Sequence, residues 1–212
     1  MNSELSPDGA ERAAAKPEPV AGAQPTSQPA DQFIIHNSTF RIHLVGMPAA
    51  GKTTLGRGLA VRFELPFRDL DEEIVRREQR SVADIFAAEG EAYFRQVEAD
   101  TLREVLAAHP RLVLATGGGT PCFHHNMALL TQAGLALWLD VPVAELVARL
   151  QHAAASRPLL AALPDAAALA QRLAETLAAR KEFYGQAALR CAGLTCTVEA
   201  VYALVRRYLA TG

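Results

Sequence analysis

Net charge, cysteine and long apolar runs are all in short supply in this chain. Lys and Arg number 21 against 23 Asp and Glu, a formal net charge of -2. That balance excludes a globally basic surface for nucleic acid or anionic membrane. Any anionic ligand must therefore be met by locally gathered arginines. No apolar run approaches the roughly 20 residues needed to span a bilayer. The N-terminus has no hydrophobic core segment and carries Glu4, Asp8, Glu11 and Glu18, which excludes a secretory signal and argues against a transit peptide. The expected location is the cytoplasm. Three cysteines, Cys122, Cys191 and Cys196, are too few for a disulfide framework and are expected to be free thiols. Cys122 stands beside His124 and His125, but the spacing is too tight for a structural zinc pattern, and no second Cys or His pair follows.

Half of the 212 residues are hydrophobic, enough for one domain with a substantial core and a tail. Residues 1–35 are rich in Ala, Pro, Ser, Gln and Glu, with little that is large and apolar. Such a segment buries too little to offset its ordering entropy, so a disordered tail is expected there, and it is no helix-turn-helix. Residues 36–212 are expected to form the folded domain. From Phe40, short β-rich runs alternate with helical stretches: RIHLVG then KTTLGRGLAVRF, LPFRDL then DEEIVRREQR, RLVLAT then NMALLTQAG, LALWLDV then PVAELVARL. This predicts an α/β fold, a parallel sheet with helices on both faces. A last strand is expected near LTCTV, before the terminal helix EAVYALVRRYL. Ligands of such sheets bind beyond the carboxyl ends of the strands.

The stretch GMPAAGKTT at 46–54 fits the phosphate-cradling pattern, with a strand before it and a helix after it. Backbone amides from Gly46, Ala49, Ala50, Gly51 and the helix start at Thr53 and Thr54 would converge on phosphate oxygens. Lys52 supplies a point charge for the outer phosphates, and the Thr53 hydroxyl is a ligand for Mg²⁺. Ala49 is expected in an ordinary backbone conformation, because Ala tolerates positive φ poorly.

Asp69 and Asp71 follow the second predicted strand. In extended backbone they share a side. One could organise water on Mg²⁺ while the other takes a proton from an acceptor hydroxyl; equally, they suit an N-cap and a first-turn acid. Arg95 and Glu98 lie three apart on one helical face, which on a solvated helix is an ordinary ion pair. The third strand runs into Gly117-Gly118-Gly119, where backbone can approach a small ligand without side chains in the way.

The ordered set GMPAAGKTT, DLD, ADIFAAEGEAYFRQVE, TGGGTP, SRPLL and RKEFY resembles the shikimate kinases, from about residue 41 to the C-terminus. The resemblance implies a P-loop three-layer sandwich, a five-stranded parallel sheet of order 2-3-1-4-5, and a mobile lid at about 151–165. It implies transfer of the γ-phosphoryl of ATP to the 3-hydroxyl of shikimate, with Mg²⁺, in the route to aromatic amino acids. In that reading Asp71 holds the shikimate hydroxyls and is the base, and Asp69 lies near the metal. Arg95 and Arg180 take the substrate carboxylate, and Glu98 orients Arg95. Gly118 and Gly119 offer backbone contacts, and Val82, Phe86 and Phe94 wall the pocket. Arg157 is the lid arginine that reaches the nucleotide and the transferring phosphoryl.

Asp165 is expected to cap the helix carrying Arg172, Arg180 and Tyr184, with Arg172 simply solvated. Arg149 has an ambiguous register against an adenine-stacking arginine. The expected partners are small molecules, with neither nucleic acid nor membrane, and the expected state is a monomer. A gluconate-type kinase would share the phosphate loop without needing the other motifs together. A non-catalytic sensor of the same fold would need a DNA-binding domain that residues 1–35 do not supply.

Overall fold

The computed structural model describes residues 38–155, 165–193 and 196–211. The tail expected over residues 1–35, the greater part of the expected lid and Arg157 lie outside the described residues.

Among the described residues five strands form one parallel sheet in the order β2-β3-β1-β4-β5. They are β1 Phe40–Val45, β2 Phe67–Asp69, β3 Arg111–Ala115, β4 Leu135–Asp140 and β5 Leu189–Ala192. The helices are α1 Lys52–Phe63, α2 Leu70–Glu78, α3 Val82–Ala108, α4 Asn126–Ala133, α5 Val143–Ala155, α6 Ala166–Tyr184 and α7 Val198–Thr211, with a 3₁₀ turn at Thr120–Cys122. Central β1 pairs with both β3 and β4, Ile42 opposite Val113 on one side and Leu135 on the other. A strand covered on both faces reads as an unbroken apolar run. Accordingly Ile42, Leu44, Leu112, Leu114 and Leu137 are all fully buried, each worth about 1.5–3 kcal/mol against exposure.

Helix α1 inserts Leu55, Leu59 and Phe63 into this core, the i, i+4, i+8 stripe of a one-sided helix. Helix α3 starts at Ser81, whose hydroxyl accepts from the Asp84 amide, and is broken at Gly90, φ 79° and ψ 179°. Across that break the Phe86 and Phe94 rings meet, centroids 4.4 Å apart. Asp165 caps α6 by accepting from the Ala168 amide. No described helix is long and apolar enough to cross a membrane.

Three expectations are corrected. The last strand is Leu189–Ala192, paired to β4 from Leu137 to Asp140, and not LTCTV. Of that segment, residues 194–195 lie outside the described residues, Cys196 and Thr197 are not strand, and Val198 opens α7. High β-propensity counts for nothing past the end of the neighbouring strand. The connection expected from residue 151 is helical as far as Ala155, as the last turn of α5. Cys191 and Cys196 are joined by a disulfide, their Cα atoms 5.7 Å apart, within the range such a bridge needs; Cys122 keeps a free thiol.

Candidate active site

The phosphate loop, Asp69 to Asp71 and the Gly117–Gly119 loop lie at or just after the carboxyl ends of β1, β2 and β3, while Arg95 and Glu98 come from the middle of α3 and Arg180 from α6. The loop after β1 leads into α1 with Gly51 at the N-cap and no side-chain cap. The first amides of a helix have no intrahelical partner, and here they line a cavity of about 840 Å³. That is a site for an anion. Its walls include residues 48–55, Asp69, Asp71, Gly117, Gly118 and Arg149.

Lys52 lies in this wall, its side chain almost wholly buried. Its ammonium donates to the Gly46 carbonyl at 2.9 Å and the Met47 carbonyl at 2.8 Å, leaving one N–H of three. Burial lowers its pKa to about 8, the Arg180 charge adding to the fall while Asp71 and Asp69 oppose it. Ala49 contradicts the expectation of an ordinary conformation, with φ 60°. The tight turn that brings the Ala50 amide to the Met47 carbonyl at 3.2 Å holds it in the left-handed region, at a cost of about 1–2 kcal/mol for a residue with a Cβ.

Asp69 is the N-cap of α2, one of the two ways left open for it. One carboxylate oxygen accepts from the Asp71 amide, capping α2; the other accepts from the Thr53 hydroxyl at 2.6 Å. Asp71 is not in extended backbone but in the first turn of α2. It still faces the phosphate loop, because the cap turns the helix start toward α1. The side chain is open to the cavity yet ringed by protein. Burial, then the Asp69 and Glu98 carboxylates, push it up to about 6, against the pull of Lys52 and Arg95. A carboxylate near that value is ionised at neutral pH and still a competent base.

Arg95 and Glu98 are no solvated surface pair. They meet at 2.9 Å with side chains 11% and 1% exposed. Glu98 also accepts from the Thr120 hydroxyl at 2.6 Å, which ties α3 to the loop after β3. The Arg95 guanidinium lies over Phe123 at 4.3 Å. A Cβ on Gly119 would stand 2.6 Å from its Nη2, so this glycine is needed for the arginine to lie against the loop. Gly118 gives the same room to Pro48. The cavity's lining stops at Asp71 and Gly118; Arg95 and the half-buried Arg180 flank that end, and both act on Cys122 between them. Of the expected wall, Phe94 is buried, Val82 half-buried and Phe86 exposed.

Two features escaped the sequence reading, and a third, Arg149, was left in an ambiguous register. Phe123 carries Arg95 and sits in a segment read only as a loop. Arg149 donates to the Ala50 carbonyl at 3.0 Å and the Ala49 carbonyl at 3.3 Å, while Glu145 holds its Nε at 2.8 Å. Gly193, Cys196, Thr197 and Val198 line the cavity, although no residue after β5 was assigned. The Arg149 signal was present as Glu145, four residues earlier.

Comparison with known proteins agrees with this construction. The family model for shikimate kinase matches residues 48–209. The shikimate kinase of Thermosynechococcus vestitus is 45% identical over 148 residues, covering 70% of this chain and 77% of that one. The crystal structure of shikimate kinase from Bacteroides thetaiotaomicron superposes with a TM-score of 0.70 at 32% identity, covering 80% of this chain and 98% of that one. Shikimate kinase from Acinetobacter baumannii, in complex with shikimate, gives 0.71 at 30% identity over 86% and 97%. With a family model spanning most of its length and a shared fold, this chain belongs to the shikimate kinase family.

Proposed function

We propose that this enzyme transfers the γ-phosphoryl of ATP to the 3-hydroxyl of shikimate, giving shikimate 3-phosphate and ADP. One observation carries the reading. At the end of the phosphate cavity a raised carboxylate, Asp71, stands beside a buried and oriented guanidinium, Arg95. A small hydroxylated acid needs that pair: a fork for its carboxylate and an acceptor for its hydroxyl protons.

The nucleotide's phosphates lie along the amides of Gly46, Ala49, Ala50, Gly51, Thr53 and Thr54, with Lys52 on the outer phosphates. Mg²⁺ fits the oxygen donors present, the Thr53 hydroxyl and the Asp69 carboxylate, the latter through water. When bound, the ion neutralises phosphate charge. Arg95 and Arg180 hold the acceptor's carboxylate, and Glu98 fixes the plane of Arg95. The loop at Gly118 and Gly119 supports the ring. Asp71 accepts the hydroxyl proton as the oxygen attacks phosphorus, and Lys52 stabilises charge on the transferring group. Arg157, outside the described residues, is assigned the same task from the lid. Catalysis of this kind is mostly positioning and electrostatics. We also assign the enzyme to the cytoplasm, as a monomer.

A coupled ADP-release assay with shikimate and with gluconate, with and without Mg²⁺, tests this. Mg²⁺-dependent release with shikimate alone is the expected result. Release with gluconate alone assigns a different acceptor, and nucleotide binding without release in either case assigns a sensor.

A further inference from the structure

Tyr184, the last residue of α6, is fully buried, although it follows Arg180 by one helical turn and neither phosphate loop nor acceptor chemistry calls for it. Its ring packs 5.9 Å from Trp138 on β4. Its hydroxyl donates to the Gly118 carbonyl at 2.5 Å and lies 3.9 Å from the Met47 sulfur at the start of the phosphate loop. Burial pushes the phenol up to about 12, with Arg180 opposing through its charge and a hydrogen bond. The group therefore remains a donor across the working pH range. A single oxygen thus touches the glycine loop, the phosphate loop and the cation of α6.

The Gly118 contact has a geometric consequence. Carbonyl and N–H of one trans peptide point in opposite directions. Fixing the Gly118 carbonyl toward Tyr184 aims the next N–H, that of Gly119, the other way. The Cα of Gly119 lies against Arg95, and among the described residues no backbone acceptor meets its amide. The buried phenol thereby sets which way that backbone donor looks.

We propose that Tyr184 is a positioning residue for the acceptor: its hydroxyl holds the Gly118–Gly119 peptide in the orientation that presents the Gly119 N–H, and seats Arg180 on the same side. It touches neither substrate, and it rests on the assignment of a carboxylate-bearing acceptor to this pocket. Tyr184→Phe keeps the ring and removes the tie. The Gly118 carbonyl then loses a buried partner, and the peptide is free to turn.

The test is steady-state ADP release by wild type and Tyr184→Phe, varying shikimate and ATP separately, with ADP affinity measured by titration calorimetry. The expected result is a shikimate KM raised about tenfold, with the KM for ATP, the ADP affinity and kcat within about twofold. Combination with Arg180→Lys should give less than the product of the two single effects on shikimate KM. A variant that weakens ADP and shikimate alike has lost only structure, and that overturns the proposal. So does an unchanged shikimate KM beside normal wild-type turnover, which leaves the functional assignment standing. Wild type that releases no ADP with shikimate overturns both.

Discussion

The phosphate loop draws its anion-binding groups from residues 46–54, chiefly backbone amides, with Arg149 bracing it from outside. The pocket beside it gathers Asp71 from α2, Arg95 and Glu98 from α3, Gly118 from the loop after β3 and Arg180 from α6. In the first, even the one essential charge is tied to its own loop, Lys52 to the Gly46 and Met47 carbonyls. In the second, the charged groups come from separate elements, and Glu98 is tied to Thr120, 22 residues away. A contiguous cradle recognises what all nucleotides share. An assembled pocket recognises one acceptor, and it should fail piece by piece when its ties are cut.

That contrast yields predictions of graded size. Asp71→Asn should lower kcat by roughly a thousandfold, the range for losing a general base, while ADP affinity stays within about twofold by calorimetry. Glu98→Ala removes the buried partner of Arg95, leaves it only the exposed Glu91, and frees Thr120. It should cost about 3 kcal/mol in denaturant unfolding and raise shikimate KM well over tenfold with little change for ATP. The two halves also separate by pH. Asp71 must be ionised, so kcat/KM for shikimate should fall as pH drops below about 6. Lys52 must be charged, so nucleotide affinity should fall as pH rises above about 8. Because folding raises the Asp71 pKa, its ionised form opposes folding above about pH 6, and Asp71→Asn should melt slightly higher than wild type at pH 8. The smallest effect belongs to the loop itself. Ala49→Gly relieves a positive φ and should stabilise by about 0.5–1 kcal/mol after the entropy cost of glycine, with ADP binding unchanged or slightly tighter.

The same division governs what could be read from sequence. The phosphate loop and the helix Lys52–Phe63 are legible residue by residue, because their signal is local. β1, β3 and β4 are legible because burial on both faces leaves mostly apolar side chains, with His43 buried among them. β5 was not: Leu189–Ala192 carries Arg190, whose Nε donates to Asp140 at 2.9 Å, and a short edge strand with a charge has no periodicity to find. The stretch after it looked more like a strand and is not one. Pairing with β4 decides, and pairing is non-local. Arg95, Glu98 and Asp71 could be named as candidates, but their spacing alone left surface ion pair and helix cap equally open. Only burial and the Thr120 and Lys52 neighbours distinguish them. Phe123, Arg149 and the Cys191–Cys196 pair depend on chain reversals that no local pattern announces.

The central claim is that the second pocket grips a carboxylate through Arg95. Its most direct test is ADP release by wild type with shikimate and with its methyl ester, each titrated at saturating ATP. Losing a charge-assisted hydrogen bond of about 1.5–3 kcal/mol should raise the acceptor KM of the ester at least tenfold, with the KM for ATP unmoved. Equal KM values for acid and ester would contradict the account.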